Sequence, residues 1–443
     1  MKIIHSSEKG QIVVILALVL VGLLGFTALA IDGGMIFADQ RYLQSSADAA
    51  SLAGGGAAAV VVEDLDMSLP EWDCTKLNDL SSPNSSFSKA YAAAYEKAAL
   101  NGFDVENDSS LGDVNVTCFP AEKYLEVDVT LTKVTNTSFV HLFNNGEMRT
   151  TAFSKTRVVP RTLAGNGASI VSLSLDCGNK KGGVWFSGNN DTVLEGGGVY
   201  SNSCVDRNSG SATVAFENGA GVTYHAGSYV AGITPPPVPV IDPDVHPLTN
   251  NPLPSPGDRC ADLPNRGDAK FNTGTGETIS YGNYGDWDFM VPVKLNPGLY
   301  CITGTVSMNA SAYVYGTGVT IYYTGTKLTL NGGADTALEA PDWEPDNLFK
   351  VENYAEEDLL LYIPPGVVAD VTINGDSNNT FSGTMYMPDS LVKINGNSTS
   401  GESTIMQVSV IGYWITITGN SDFSVKYNAN KETGWPAYIQ LQK

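Results

Sequence analysis

A six-residue motif that recurs through the second half of the chain constrains the fold more than any other feature. Five copies, VSMNAS, LTLNGG, VTINGD, VKINGN and ITITGN, begin at Val306, Leu328, Val371, Val392 and Ile415, and a related VWFSGN begins at Val184. The five starts are separated by 22, 43, 21 and 23 residues, and 43 is about two periods. Short strands that turn at Asn-Gly corners with this period predict a right-handed parallel β-helix, a solenoid in which each coil covers the apolar row of the next.

A second series of apolar segments shows that each period contains at least two strands. It comprises VTIYYTG from Val319, LLLYIPPG from Leu359, GTMYMPDS from Gly383 and QVSVIGYW from Gln407. Charged residues make up only 16% of the 443 residues, and this composition favours turns and short strands over long surface helices. The chain is therefore predicted to be mainly β and, at this length, to form two or three domains.

The remaining patterns divide the chain into successive parts. A cytoplasmic tip with a transmembrane helix (1–31) and a helical stem (32–62) precede a small α+β membrane-proximal domain (63–163). That domain is predicted from a helix over Ser86–Asn101, a turn of helix near Phe139–Phe143, and strands over Asp113–Cys118, Tyr124–Lys133 and Met148–Val158. Two parts of the solenoid, 164–232 and 261–443, are separated by a proline-rich stretch, 233–260.

The proline-rich stretch contains nine prolines between Ile233 and Asp258, so it is predicted to be extended and semi-rigid. Two interpretations remain open. It either crosses one flank of a single solenoid or links two separate β domains. We favour the flank excursion, because strands interrupted by glycine occur on both sides of it.

The segment Ile12–Ile31, called here the apolar segment, carries no charged side chain. Twenty helical residues at about 1.5 Å each span roughly 30 Å, the hydrocarbon thickness of a bilayer. It is therefore predicted to be a single-pass anchor in the lipid bilayer, with side chains such as Ile12, Leu16, Leu20, Leu24 and Ile31 facing the lipid.

The charges beside the apolar segment predict its orientation. Lys2 and Lys9 precede it, whereas Asp32 and Asp39 follow it, so the N-terminus is expected in the cytoplasm and the bulk of the chain outside the cell. A cleavable signal peptide is the alternative interpretation, because small residues end the segment. Against this alternative, the helical pattern continues without a break as far as Leu52.

Three short sequence motifs lie beside and within the predicted helix. Gly10-Gln11 precede the helix, Ala30–Gly33 form its exit, and Gln44–Gly54 read QSSADAASLAG. In order and spacing, Gly10–Gly55 resembles the N-terminal segment of TadG-like and TadE/G-like Flp pilus-assembly proteins. The resemblance implies a pilin-like helix that packs with pilus-assembly partners. Cleaved pilins carry Glu five residues after the cleavage-site glycine, where this chain has Ile15, so the helix is expected to stay uncleaved.

Six cysteines all lie C-terminal to the apolar segment. Six cysteines allow fifteen connectivities, but their order suggests three sequential disulfides, Cys74 with Cys118, Cys177 with Cys204, and Cys260 with Cys301. No CxxC or Cys/His spacing suits a tetrahedral metal site. The cysteines therefore indicate an oxidising compartment.

The net charge of −22 bears on partners and cofactors. Such a chain repels phosphate backbones, so no nucleic-acid partner is predicted. No cofactor is predicted either. The acidic residues between Leu328 and Val371 are interpreted as a solvated loop, with a calcium site as the alternative; they are Asp335, Glu339, Asp342, Glu344, Asp346, Glu352, Glu356, Glu357 and Asp358.

Parallel β-helices often host polysaccharide lyases and hydrolases, so an enzyme has to be considered. From Ala261 onward the sequence has no histidine and one arginine, Arg266, which leaves few groups for lyase chemistry. Paired carboxylates for hydrolysis are conceivable among Asp370, Asp376 and Asp389, although turn-forming roles explain them more simply. His141, His225 and His246 are isolated from one another and from cysteine. No catalytic residue is therefore predicted.

Aromatic residues are the better lead for binding, because such side chains stack on sugars or on partner proteins. They are Tyr281, Tyr284, Trp287, Phe289, Tyr313, Tyr315, Tyr322 and Tyr323, for which packing between coils is the simpler interpretation. The sequence as a whole predicts a membrane-anchored surface protein with a structural, pilus-assembly or adhesive role, for which surface glycans are one candidate partner. The alternatives are a carbohydrate-active β-helix enzyme and an envelope structural protein unrelated to pili.

Overall fold

The computed structural model describes most of the chain from residue 9 onward. The described residues are 9–65, 67, 72–78, 82–135, 137, 139, 148–178, 182–188, 191–207, 213–218, 221–225, 228–229, 233–234, 238–240, 246–274, 276–309, 312–331, 336–342, 354–375, 380–396, 404–419 and 423–442.

The described residues are mainly β, and the longest helix lies at the N-terminal end. The helices are α1 (Lys9–Asp64), α2 (Cys74–Leu77), α3 (Ser86–Leu100) and α4 (Pro247–Asn250), with 3-10 turns at Ser109–Leu111, Pro256–Asp262 and Ala429–Lys431. The strands of the first half are β1 (Gly112–Phe119), β2 (Tyr124–Thr135), β3 (Met148–Val159), β4 (Thr162–Leu163), β5 (Ala168–Ser172), β6 (Gly183–Gly188), β7 (Asp191–Glu195), β8 (Gly198–Ser201), β9 (Cys204–Arg207), β10 (Thr213–Glu217), β11 (Val222–His225), β12 (Ser228–Tyr229), β13 (Ile233–Thr234) and β14 (Val238–Val240).

The later strands are short except for β27 and β28. They are β15 (Asn265–Phe271), β16 (Glu277–Ile279), β17 (Gly282–Phe289), β18 (Val293–Leu295), β19 (Gly298–Ile302), β20 (Val306–Met308), β21 (Val314–Gly316), β22 (Val319–Tyr323), β23 (Lys327–Asn331), β24 (Ala337–Glu339), β25 (Leu359–Tyr362), β26 (Asp370–Gly375), β27 (Thr380–Gly396), β28 (Thr404–Gly419), β29 (Phe423–Lys426), β30 (Gly434–Trp435) and β31 (Tyr438–Gln442).

The chain forms two compact units. The first contains the residues up to Arg161 together with those from Pro436 onward, and the second is Thr162–Trp435. In the first unit, an antiparallel sheet has the order β1-β2-β3-β31, and α1 and α3 pack on one of its faces. Alternate residues of β2 contribute to its core, where Leu125, Val127, Val129 and Leu131 are fully buried.

The last strand joins this first sheet. Residues 436–442 follow the hexamers in sequence, and the sequence analysis placed them with the second solenoid part. In the structure, β31 pairs antiparallel with β3, so that Lys155 lies opposite Gln442 and Val159 opposite Tyr438. A five-residue strand carries no sequence signal for its partner, because several edges of the same chain can accept it.

The second unit contains parallel strands that pair with a period of three. Strand β18 pairs with β21, β21 with β24, and β24 with β27. The hexamers occupy one register: Val306 lies opposite Leu328, Leu328 opposite Val371, Val371 opposite Val392, and Val392 opposite Ile415. The first and third residues of all six hexamers are at most 4% exposed, in one continuous apolar core.

The sixth hexamer, at Val184, precedes the others in sequence but follows them in space. Val184 lies opposite Ile415, and Ile170 lies opposite Val410. The strands from β5 to β14 therefore continue the parallel sheet beyond β28 and β29. The two predicted parts of the repeat form one parallel sheet, in an order that the sequence analysis did not predict.

This order forces residues 246–263, called here the strap, to return along one flank of the sheet. The backbone N–H of His246 donates to Asn202 Oδ1 at 2.8 Å, and the hydroxyl of Tyr362 donates to the Leu253 carbonyl at 2.9 Å. Further along, Cys260 is joined to Cys301 of β19. The proline-rich stretch is thus a flank excursion, as favoured above.

The proline-rich stretch is not extended throughout. Strands β13 and β14 pair parallel with β10 and β11, whereas α4 and the 3-10 turn at Pro256–Asp262 are helical. Pro235–Pro237 lies outside the described residues. The structure has disulfides at Cys74–Cys118, Cys177–Cys204 and Cys260–Cys301, which are the sequential pairs.

Candidate functional site

The apolar segment has no protein partner among the residues that the structure describes. The side chains of the five anchor residues are 42–66% exposed, namely Ile12, Leu16, Leu20, Leu24 and Ile31. By length and composition this is the one helix of the described chain that could cross a membrane. Apolar side chains exposed around every face of a helix are stable in lipid and not in water.

Two carboxylates attach α1 to the first sheet just beyond the apolar segment. Asp32 is only 1% exposed, and its Oδ2 accepts the backbone N–H of Phe139 at 2.9 Å. Further along α1, Asp39 pairs with Lys133 Nζ at 2.7 Å, and this hydrogen bond holds the pKa of Asp39 below its usual value. The same ammonium lies 5.4 Å from the ring centre of Tyr42. The helix therefore leaves the apolar segment already fixed to its domain.

The Gln44–Gly54 segment packs one of its faces against the sheet. Ser51 Oγ is 2.9 Å from both Ser154 Oγ and Thr156 Oγ1, in the middle of β3. Gln44 Nε2 donates to the Phe153 carbonyl at 3.0 Å. Ala47 and Ala50 are fully buried. The small residues of this segment allow α1 to approach the sheet closely, so they serve packing within the domain.

The structure describes two of the three predicted chemistry-bearing carboxylates. Asp370 is exposed on β26 and lies opposite Leu391 of β27, two residues beyond Asp389. Asp376 lies outside the described residues. Asp389 instead lines a groove with Asp176, which the sequence analysis did not single out. Among the described residues, no group of three or more His, Cys, Asp or Glu side chains could hold a metal ion.

Three carboxylates of the acidic stretch pair with cations. Lys431 pairs with Glu339 at 3.4 Å and also with Asp342, and Arg259 of the strap pairs with Glu356 at 2.6 Å. These pairs neutralise carboxylates that a calcium ion would need. Asp335, Glu344, Asp346 and Glu352 lie outside the described residues.

Half of the aromatic cluster is buried. Trp287, Phe289 and Tyr323 are at most 1% exposed and Tyr284 is 6% exposed, whereas Tyr315 is 37% exposed. Tyr322 stacks on Tyr362, which in turn lies 5.1 Å from Tyr386, and the strap passes over this row. The tyrosines of this row recur in the second series of apolar segments and could be recognised in the sequence. The packing of the strap over them could not.

His246 begins the strap and is 2% exposed. Its Nδ1 accepts the backbone N–H of Leu248 at 3.3 Å, and its ring meets Tyr200 edge-on at 4.9 Å. Burial lowers the pKa of His246 to about 4. His141 and the side chain of His225 lie outside the described residues.

We expect the stability of the second unit to fall in mild acid through His246. Its pKa is lower in the folded chain than in the unfolded chain, where it is about 6.5, so the unfolded chain binds the proton first. The stabilisation is therefore complete above pH 6.5 and is lost as the pH falls toward 4, which amounts to about 2 kcal/mol at pH 5. Urea unfolding at pH 7 and pH 5 measures this loss.

His246→Asn is the matched control, because asparagine can still cap α4 but does not titrate. The variant should show a smaller difference between pH 7 and pH 5 than the parent. Equal differences in the two proteins would mean that other groups carry the acid sensitivity.

The comparison with known proteins agrees with the exposed helix and the packed segment beyond it. Residues 10–59 match the model of the TadE/G-like Flp pilus-assembly family, the segment from which the resemblance was drawn. This range contains the apolar segment, Asp32, Asp39 and Gln44–Gly54. Neither a curated protein nor a solved structure shows significant similarity to the chain.

Proposed function

We propose that this chain is a TadG-like, single-pass membrane protein that serves pilus assembly or adhesion and has no catalytic role. The observation that carries the proposal is α1, which runs unbroken from an exposed apolar segment into a helix packed on its own domain. The family match covers this same helix. Membrane association and pilus-related partners follow from the match, whereas the role of the rest of the chain is inferred from its shape and chemistry.

The bulk of the chain lies outside the cytoplasm in this proposal. Lysines precede the apolar segment and aspartates follow it, which favours a cytoplasmic N-terminus. The three disulfides support an oxidising environment, because thiols in the cytoplasm are kept reduced.

The second unit is proposed to be a right-handed parallel β-helix that is presented outside the membrane. Strand pairing with a period of three and hexamers in one register support this fold. Right-handed winding is the expected hand for parallel strands joined by crossovers.

Leu20→Arg should reduce membrane anchoring. An arginine at the centre of a membrane helix costs about 2.5 kcal/mol, so a larger fraction of the protein should be released from membranes by alkaline carbonate. Val60→Arg is the control, since Val60 is 61% exposed on the same helix beyond the apolar segment. Equal extraction of both variants would contradict the anchor, and an N-terminus beginning near Ala30 would indicate a cleaved signal peptide.

The assembly role is tested by a photo-reactive residue at Leu20 in the native membrane. Crosslinks to the apolar helix of a pilin-like protein are expected. Crosslinks to lipid alone would favour an envelope protein unrelated to pili, and release of reducing ends from polysaccharides by the purified protein would favour the enzyme.

A further inference from the structure

A groove of about 460 Å³ lies in the second unit where several turns meet. Its walls come from the turn after β5, from α4 of the strap, and from turns beside β25 and within β27. Leucine and proline side chains supply the apolar part of the lining, and Asp176, Asp389, Tyr386 and Tyr413 supply most of the polar part. No lysine, arginine or histidine is among the described residues that line it.

The two carboxylates have unused capacity to accept hydrogen bonds. Asp389 Oδ2 accepts the backbone N–H of Gly366 at 2.6 Å, and Asp176 Oδ2 accepts the Tyr413 hydroxyl at 3.5 Å. A carboxylate can accept about four hydrogen bonds. Neither group forms an ion pair with a residue that the structure describes, so the described lining of the groove carries negative charge without a cation.

A buried hydroxyl points to a polar ligand in the same place. Tyr386 is fully buried and lines the groove, and its Oη has no hydrogen-bond partner within the described structure. The hydroxyl faces the Leu253 carbonyl, which also accepts from the Tyr362 hydroxyl at 2.9 Å, and the lone pairs of the Tyr386 hydroxyl remain free to accept a hydrogen bond. A buried polar atom without a partner is costly, and a bound donor would remove that cost.

We propose that this groove binds a basic segment of a partner protein through an arginine side chain. A guanidinium presents five N–H donors in one plane, which suits acceptors such as Asp176, Asp389 and the Tyr386 hydroxyl. The ring of Tyr413 and the proline rings offer flat surfaces on which it can lie. The acidic chain, with a net charge of −22, attracts such a partner from a distance. The site is separate from the apolar helix on which the proposed function rests.

The test is a titration of the detergent-solubilised full chain with fluorescent nona-arginine at 150 mM salt. The variant Asp176→Asn/Asp389→Asn should bind at least about tenfold more weakly than the parent, because charge-assisted hydrogen bonds are lost. The control Asp262→Asn/Asp288→Asn removes the same charge outside the groove and should bind within about threefold of the parent. Thermal unfolding of each variant shows that the fold is kept.

Three results would overturn the proposal. Equal weakening in both double variants would mean that nona-arginine binds the general negative surface. Absence of binding by the parent would mean that the groove does not recognise arginine. Binding of a neutral glycan such as maltoheptaose, lost only in Asp176→Asn/Asp389→Asn and tighter than that of nona-arginine, would make the groove a sugar site.

Discussion

Replacing Gly54 with valine is expected to lower the free energy of unfolding of the first unit by about 3 kcal/mol. A Cβ at this position would lie 2.9 Å from the Ala90 carbonyl oxygen, 2.9 Å from Val127 Cγ1 and 3.1 Å from Ala94 Cβ. The space is therefore closed by α3 on one side and by β2 on another. Because one of the neighbours is backbone, α1 has to move away from α3 for valine to fit.

Gly56 is the matched control in the same helix, because a Cβ there would have no atom within 4 Å. Alanine is the better helix former, so Gly56→Ala should stabilise the unit by up to about 1 kcal/mol. Gly54→Ala should destabilise it despite the same gain in helix propensity. Urea unfolding followed by hydrogen exchange of the α1 amides measures both effects, and stabilisation by Gly54→Ala would show that the helix does not pack here.

This pair of glycines shows how the small residues near the end of the Gln44–Gly54 segment contribute to packing. Gln44–Gly54 was predicted to be part of a stem that could pack with pilin-like partners. The structure uses its small residues to bring α1 against β3 and α3, as the hydrogen bonds of Ser51 to Ser154 and Thr156 illustrate. The apolar segment stays exposed along its whole length and is available for contacts within the membrane.

The sequence predicted the local structure well where periodicity is strong. Helix α3 and strands β1 to β3 lie where helical and alternating patterns placed them, and the hexamers stack in register because their first and third residues are all apolar. The stacking of Val184 onto Ile415 could not be predicted, since these residues are 231 apart in sequence and every hexamer offers a similar edge. Which strands pair depends on which strand edges are left free after the rest of the second unit has folded. That is a property of the whole unit and not of one hexamer.

The candidate groove was hidden for the same reason. Asp389 was considered as a turn residue or as one of a pair of hydrolytic carboxylates, Tyr413 lies in the second series of apolar segments, and Asp176 carries no motif and is distant from both in sequence. They meet because β5 stacks on β28, where Ser172 Oγ donates to the Tyr413 carbonyl at 2.7 Å. A site built by an unpredicted stacking order cannot be found from spacing along the chain.

Replacing Cys260 and Cys301 together with serine is expected to lower the free energy of unfolding of the second unit by about 4 kcal/mol. This is the chain-entropy value for a disulfide that closes a loop of 41 residues. The bond also fixes the end of the strap to β19. Without it, the strap residues from Leu253 to Leu263 should exchange their amide hydrogens faster, and the row of Tyr322 and Tyr362 beneath them should become accessible to iodination.

Replacing Cys177 and Cys204 with serine separates these two effects. That disulfide closes a loop of 27 residues, so its loss should cost nearly as much, about 3.5 kcal/mol. It does not hold the strap, and the strap amides should therefore stay protected when only this pair is removed. If both variants released the strap equally, general loss of stability would explain the exposure of the tyrosine row. If neither did, the remaining contacts, such as the ion pair of Arg259 with Glu356 at 2.6 Å, would be sufficient to hold the strap in place.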